Sequence, residues 1–180
     1  MPITGQGWEI LIQRKSTQRR SSDGKVRTVG TYQVFHNGVP TALAGQTAES
    51  RGPGANAPAG NGRRIEPGRY PLFTQGGEKY VTHGYVENDS TGAKPKPGIE
   101  LKDTDQREEI LIHPGQGFLA SIGCINLCTS LPDATEPISY AGSRRRVIAV
   151  IEDMKAFIAG FPAQNGRAIP GAFAVFEGEP

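Results

Sequence analysis

The chain has 180 residues, enough for one domain with a core of its own. Its 20 basic and 18 acidic side chains leave a formal charge of +2, which argues against a nucleic-acid partner, and no run approaches the ~20 apolar residues of a membrane span. Hydrophobic content is low at 36%, and 24 glycines and 14 prolines explain the deficit by implying many turns and long loops. The first eight residues hold no basic region followed by an apolar core, so no secretory signal is read there. Synthesis in the cytoplasm is expected, with any export left to separate machinery.

Trp8 to Ile12 reads as a first strand, and Asp23-Gly24 as a turn after a polar stretch. Residues 31–39 alternate in part and end in Asn37-Gly38, a good hairpin signal. Residues 44–63, rich in Gly, Ala, Pro and Asn, read as one long loop. Pro67-Gly68 is a turn feeding a strand that runs to Phe73, and residues 80–86 read as a strand interrupted by Gly84. A second polar loop spans 88–98, and a strand from Glu109 delivers His113. One segment has helical spacing: Ser143 is the expected cap, Val147, Val150, Ile151, Met154, Phe157 and Ile158 recur every three or four residues, and Gly160 is the expected stop. Residues 172–176 form a closing strand. The chain is therefore expected to be one mainly β domain over residues 1–180, with one clear helix packed on a sheet or barrel.

The chemistry concentrates in residues 110–127. An apolar strand presents His113, a short glycine-containing loop follows, and Ser121-Ile-Gly-Cys124-Ile-Asn presents a thiol. A thiol becomes a good nucleophile when a base takes its proton, and histidine is the usual partner. His113 and Cys124 are the candidate dyad. Gly123 allows the tight backbone that would aim the Gly123 and Cys124 amides at a developing oxyanion. Ser121 either holds the turn or donates to substrate, and Asn126 either braces the loop or binds a substrate amide. His83 either lines the cleft or faces solvent, while His36, beside Asn37-Gly38, reads as a turn residue. Cys128 reads as a small buried residue. A Cys124–Cys128 disulfide would need a turn, because extended chain sets them about 13 Å apart at ~3.3 Å per residue. No His or Cys spacing suits zinc, and residues 52–62 lack the Gly-Lys-Ser/Thr ending of a phosphate loop. The short clusters Arg19-Arg20 and Arg144-Arg145-Arg146 read as solvated surface.

This segment resembles the signature of the L,D-transpeptidase family (the YkuD-like fold), in which a His precedes a Ser/Thr-x-Gly-Cys-apolar-Asn/Arg run. The matching residues are His113, Ser121, Gly123, Cys124, Ile125 and Asn126. Residues 65–70, with Pro67-Gly68 and Tyr70, resemble the family's Pro/Gly turn and following strand. The resemblance covers residues 64–128. Many members carry a second His where this chain has Ile122, and their His-to-Cys spacing is longer. Both traits make the chain more similar to a divergent bacterial branch that includes type VI secretion effectors, which lack a signal peptide. The resemblance implies a YkuD-like β-sandwich or barrel that needs no cofactor and acts on peptidoglycan stem peptides through a thioester on Cys124. It also implies delivery to a periplasm and, as partners, secretion machinery or an immunity protein. Two rivals remain: a cell-wall-binding or phage/secretion structural module that keeps the fold without turnover, and a cysteine hydrolase of ordinary L-peptides.

Overall fold

The computed structural model describes residues 2–180. In chain order its elements are β1 (Trp8–Arg19), β2 (Val26–His36), β3 (Val39–Glu49), β4 (Gly68–Thr74), β5 (Tyr80–Val81), β6 (Lys96–Pro97), β7 (Ile99–Leu101), β8 (Ile110–His113), β9 (Ile125–Cys128), α1 (Tyr140–Phe157) and β10 (Ala168–Glu177). Eight strands close a barrel in the order β1-β10-β4-β7-β8-β9-β3-β2, and β5 pairs with β6 in a separate two-stranded ladder. The protein is mainly β with one helix.

The β2–β3 hairpin turns on Asn37 and Gly38, with φ of 48° and 80°. Two consecutive positive φ values make the primed turn whose twist suits antiparallel strands, and Asn-Gly is the pair that tolerates it. The Asp23 turn joins β1 to β2, as expected, and Arg20 pairs with Asp23 across it. The barrel then closes through a contact no local pattern announces. β10 runs parallel to β1, from Trp8↔Ala172 to Gln13↔Glu177, and antiparallel to β4.

Several boundaries differ from expectation. Residues 44–49 are strand, so the loop begins at Ser50 rather than residue 44. Their weak strand propensity is overridden by pairing on both sides, with β2 through Thr47↔Gly30 and with β9 through Gln46↔Cys128. The expected 80–86 strand stops at Val81. The helix begins earlier: Ser139 caps it by accepting from the Gly142 amide, and Ser143 lies inside it, fully buried. Ser143 Oγ donates to the Leu127 carbonyl and accepts from the Gly115 amide, so its hydroxyl is spent on the site loop. The Arg144–Arg146 cluster is only partly solvated. Arg144 is buried and donates to the Val86 carbonyl, and Arg146 donates to Tyr32 Oη.

The core joins inward-facing residues of the strands, among them Trp8, Ile10, Ile12, Ile99, Ile112, Ile125 and Phe176, to the Val147, Val150, Ile151 and Met154 face of α1. Each such side chain removed from water is worth about 1.5–3 kcal/mol. Asp153 fastens the helix to the barrel by accepting from Trp8 Nε1 at 2.8 Å and meeting His36 Nε2 at 2.7 Å. His36 is therefore a packing residue as well as a turn neighbour, stacked on Phe157 at 4.0 Å.

Candidate functional site

β8 and β9 run parallel, with Ile112 opposite Ile125 and His113 opposite Asn126. Ile110, Ile112, Ile125 and Leu127 belong to the core. Alternation along a strand then turns Leu111 and His113 on β8, and Asn126 on β9, to the opposite face. Cys124, one residue before β9, continues that pattern and meets Leu111, whose amide donates to its sulfur at 3.3 Å. The sulfur also approaches the Glu109 carbonyl at 3.5 Å. The two candidate catalytic groups thus sit on one face of neighbouring strands, although among the described residues no hydrogen bond joins them.

The sulfur opens into a cavity of about 430 Å³, walled by Gln75, Lys79, Tyr80, Glu109 and Leu111 among others. That volume suits a small ligand or a short peptide segment. Tyr80 links the two candidates: it lines this cavity, and its ring lies 4.3 Å from the imidazole of His113. His113 itself is buried. Its Nδ1 lies 2.8 Å from the Pro114 carbonyl oxygen. A carbonyl only accepts, so Nδ1 carries the hydrogen, and Nε2 holds the lone pair when the ring is neutral. Nε2 has no hydrogen-bond partner among the described residues.

The electrostatics keep both groups neutral at pH 7. Burial pushes the His113 pKa down to about 4; the Pro114 carbonyl opposes this shift, and Lys79 and Lys96 reinforce it. Burial pushes the Cys124 thiol up, against the Leu111 amide and the charge of Arg107, which pull it down. The resting site therefore holds a neutral thiol and a neutral imidazole rather than a thiolate–imidazolium pair. Burial likewise lifts Tyr80 to about 12, so its hydroxyl stays protonated.

The surrounding residues sort themselves by their bonds. Ser121 Oγ donates to the Cys124 carbonyl at 2.5 Å, which makes Ser121 the turn holder rather than a substrate donor. The Gly123 amide donates to Ser50 Oγ at 3.0 Å, so it is not a free oxyanion donor, contrary to the sequence expectation. Gly123 is needed for another reason: its φ is +92°, and a Cβ there would lie 2.0 Å from Nη2 of Arg107. Asn126 is fully buried, donates to the His113 and Ala120 carbonyls and accepts from the Ala120 amide, so it braces the loop. His83 neither lines the cleft nor simply faces solvent. Its Nε2 meets the Pro162 carbonyl at 2.7 Å and its backbone pairs with Asn165, which pins it to the 162–165 loop. Cys128 is buried, and both cysteines are free.

Sequence reasoning missed Tyr80 as a wall residue and missed Ser50, Lys79 and Arg107 altogether. Tyr80 read as an ordinary strand aromatic. Arg107 lies in Asp103-Thr-Asp-Gln-Arg-Glu-Glu109, which looks like a solvated charge run. No family model, curated protein or solved structure matches the chain.

Proposed function

We propose that this protein is a cysteine acyl transferase or peptidase acting on peptidoglycan stem peptides, with Cys124 as nucleophile and His113 as base, in the manner of L,D-transpeptidases. The observation that carries the reading is the state of His113. Its Nδ1–H is fixed on a backbone carbonyl, its ring is neutral at pH 7, and its Nε2 lone pair is uncommitted on the face that carries an accessible thiol. The motif resemblance and the mainly β barrel with one helix agree with a YkuD-like domain.

In this reading the Cys124 sulfur attacks the carbonyl between an L-centre and a terminal D-amino acid while Nε2 takes the thiol proton. The C–N bond of the tetrahedral intermediate breaks, the imidazolium returns the proton to the leaving amine, and a thioester remains. Water then releases a shortened peptide, or a second amine forms a cross-link or exchanges the D-residue. Because both groups start neutral, proton transfer accompanies attack rather than preceding it. The divergent motif suits an effector delivered to a periplasm by a secretion system. Among the described residues no helix is long and apolar enough to cross a membrane.

The test is mass spectrometry of purified tetrapeptide and pentapeptide muropeptides after incubation with the protein. The expected products are a peptide shortened by one terminal residue, a D-amino-acid exchange product or a dimer. Cys124→Ala and His113→Ala should each lower turnover by at least a hundredfold while circular dichroism stays native. Turnover by Cys124→Ala at the wild-type rate would eliminate the proposal. A second reading draws on the absence of a direct sulfur–imidazole hydrogen bond: a wall-binding module that does no chemistry. Muropeptide binding without any product from the wild type would select it.

A further inference from the structure

The thiol is half-buried and its base is weak, so something must stabilise negative charge when the sulfur ionises. Gly123 does not supply it, since its amide is committed to Ser50. Arg107 lies beside the site, and its surroundings are unusual for a guanidinium. It is 5% exposed, yet among the described residues no carboxylate pairs with it. Its Nη1 donates to the Ala55 carbonyl at 2.9 Å, Asn61 Oδ1 at 3.0 Å and the Arg63 carbonyl at 2.9 Å. Nη2 and Nε have no partner among the described residues. The Nη2 edge lies against the Cα of Gly123, immediately before the nucleophile, and a Cβ there would collide with it at 2.0 Å. A buried cation without a counter-ion is costly to fold around, and here three acceptors hold it rigidly with one edge free.

We propose that Arg107 is the electrostatic partner of Cys124: its guanidinium supplies the positive charge that stabilises the thiolate, and then the oxyanion formed when the sulfur adds to a carbonyl. The inference rests on the reading of Cys124 as nucleophile and not on which peptide it attacks. Arg107 reaches substrate space, because it lines a second cavity of about 870 Å³ that shares Gln75, Gly77 and Glu109 with the cavity of the sulfur. The other groups facing the sulfur do not take this role. Glu109 opposes ionisation, Tyr80 and His113 are neutral at pH 7, and Lys79 lines the cavity beside Glu78, an acidic neighbour in the chain. Burial pushes the Arg107 guanidinium down and the Cys124 thiol up, and the attraction between the two groups opposes both shifts. Anchoring alone would require the three Nη1 bonds but no free edge at Gly123.

The experiment measures iodoacetamide alkylation of Cys124 against pH, located by peptide mass spectrometry, in the wild type and in Arg107→Gln, Arg107→Met, Arg107→Lys and Asn61→Ala. An opposite charge beside a titrating group typically moves it by about one unit or more. The two neutral variants should therefore shift the alkylation midpoint upward by about one unit and alkylate about tenfold more slowly at a fixed pH below it. Arg107→Lys keeps the charge and Asn61→Ala keeps the cation while removing one anchor, so both should stay close to the wild-type midpoint. A wild-type midpoint in folded Arg107→Gln overturns the proposal. An equal shift in the Lys and Gln variants, or failure of both neutral variants to fold, assigns Arg107 a structural role instead and overturns it as well. No muropeptide enters this assay, so loss of the stem-peptide reading leaves the result intact, and the reverse also holds.

Discussion

His113 combines two properties that pull against each other. Burial makes it a weak base, and the bond from Nδ1 to the Pro114 carbonyl makes it a correctly protonated one. The same burial has a consequence for stability. The folded-state pKa is about 4, against an ordinary value of 6.5, so between those limits the unfolded chain binds a proton that the folded chain does not. The contribution of this residue is then complete above pH 6.5 and lost progressively as pH falls toward 4, by up to about 3 kcal/mol in total. Urea unfolding at pH 7.5 and pH 4.5 should show that loss in the wild type, and His113→Gln should flatten the pH slope over this window. An unchanged slope in His113→Gln would mean that the imidazole titrates normally. Cys124 and His113 could be singled out as a candidate pair from their residue types and loop spacing. Arg107 could not, because seven consecutive mostly charged positions give no clue that one of them turns inward.

At the scale of elements, the loop from Pro114 to Gly123 carries the site, and its firmness comes from outside itself. Ser143 of α1 holds the Gly115 amide, Arg27 of β2 holds the Phe118 carbonyl, and Ser50 holds the backbone of Ser121 and Gly123. Asn126 of β9 ties Ala120 to the strand that carries His113. Removing the Asn126 amide leaves buried backbone groups without partners, at about 1–3 kcal/mol. Asn126→Ala should therefore lower the urea midpoint accordingly and, by loosening the loop, reduce muropeptide turnover while Cys124 and His113 remain in place. A variant as stable as the wild type would show that water replaces the brace. These tethers explain why the loop was recognised in the sequence but its rigidity was not: each partner lies far along the chain, and polar side chains of this kind also populate ordinary turns.

For the whole molecule, the barrel is closed by strands from opposite ends of the chain, and buried charge sits near that seam. Arg14 of β1 meets Glu49 of β3 through two bonds, at 2.9 and 2.8 Å, with both side chains essentially sealed from solvent. Glu179 approaches Arg14 more distantly, at 3.5 Å, and is itself 38% exposed. Breaking a buried pair by removing one partner strands the other charge, typically at 3–5 kcal/mol. Glu49→Ala should therefore destabilise the fold by about 3 kcal/mol or more in urea unfolding, with Glu179 able to offset only part of it. A loss below about 1 kcal/mol would mean that Glu179 takes over the partnership.

Local pattern alone determined the strand of Trp8, the Asn37-Gly38 hairpin, the apolar strand ending at His113 and the one helix, and it singled out Cys124 and His113 as candidates. Those features depend on residues a few positions apart, where turn chemistry and side-chain period act directly. The tertiary structure alone decided the barrel order, the strand character of residues 44–49, the short β5, β6 and β7, and the placement of Arg107 and Tyr80 at the thiol. It also decided that the thiol and imidazole rest neutral and that the Gly123 amide is occupied. The reason is common to all of these: pairing with distant strands and removal from water act on a residue through neighbours that the chain brings together only when it folds.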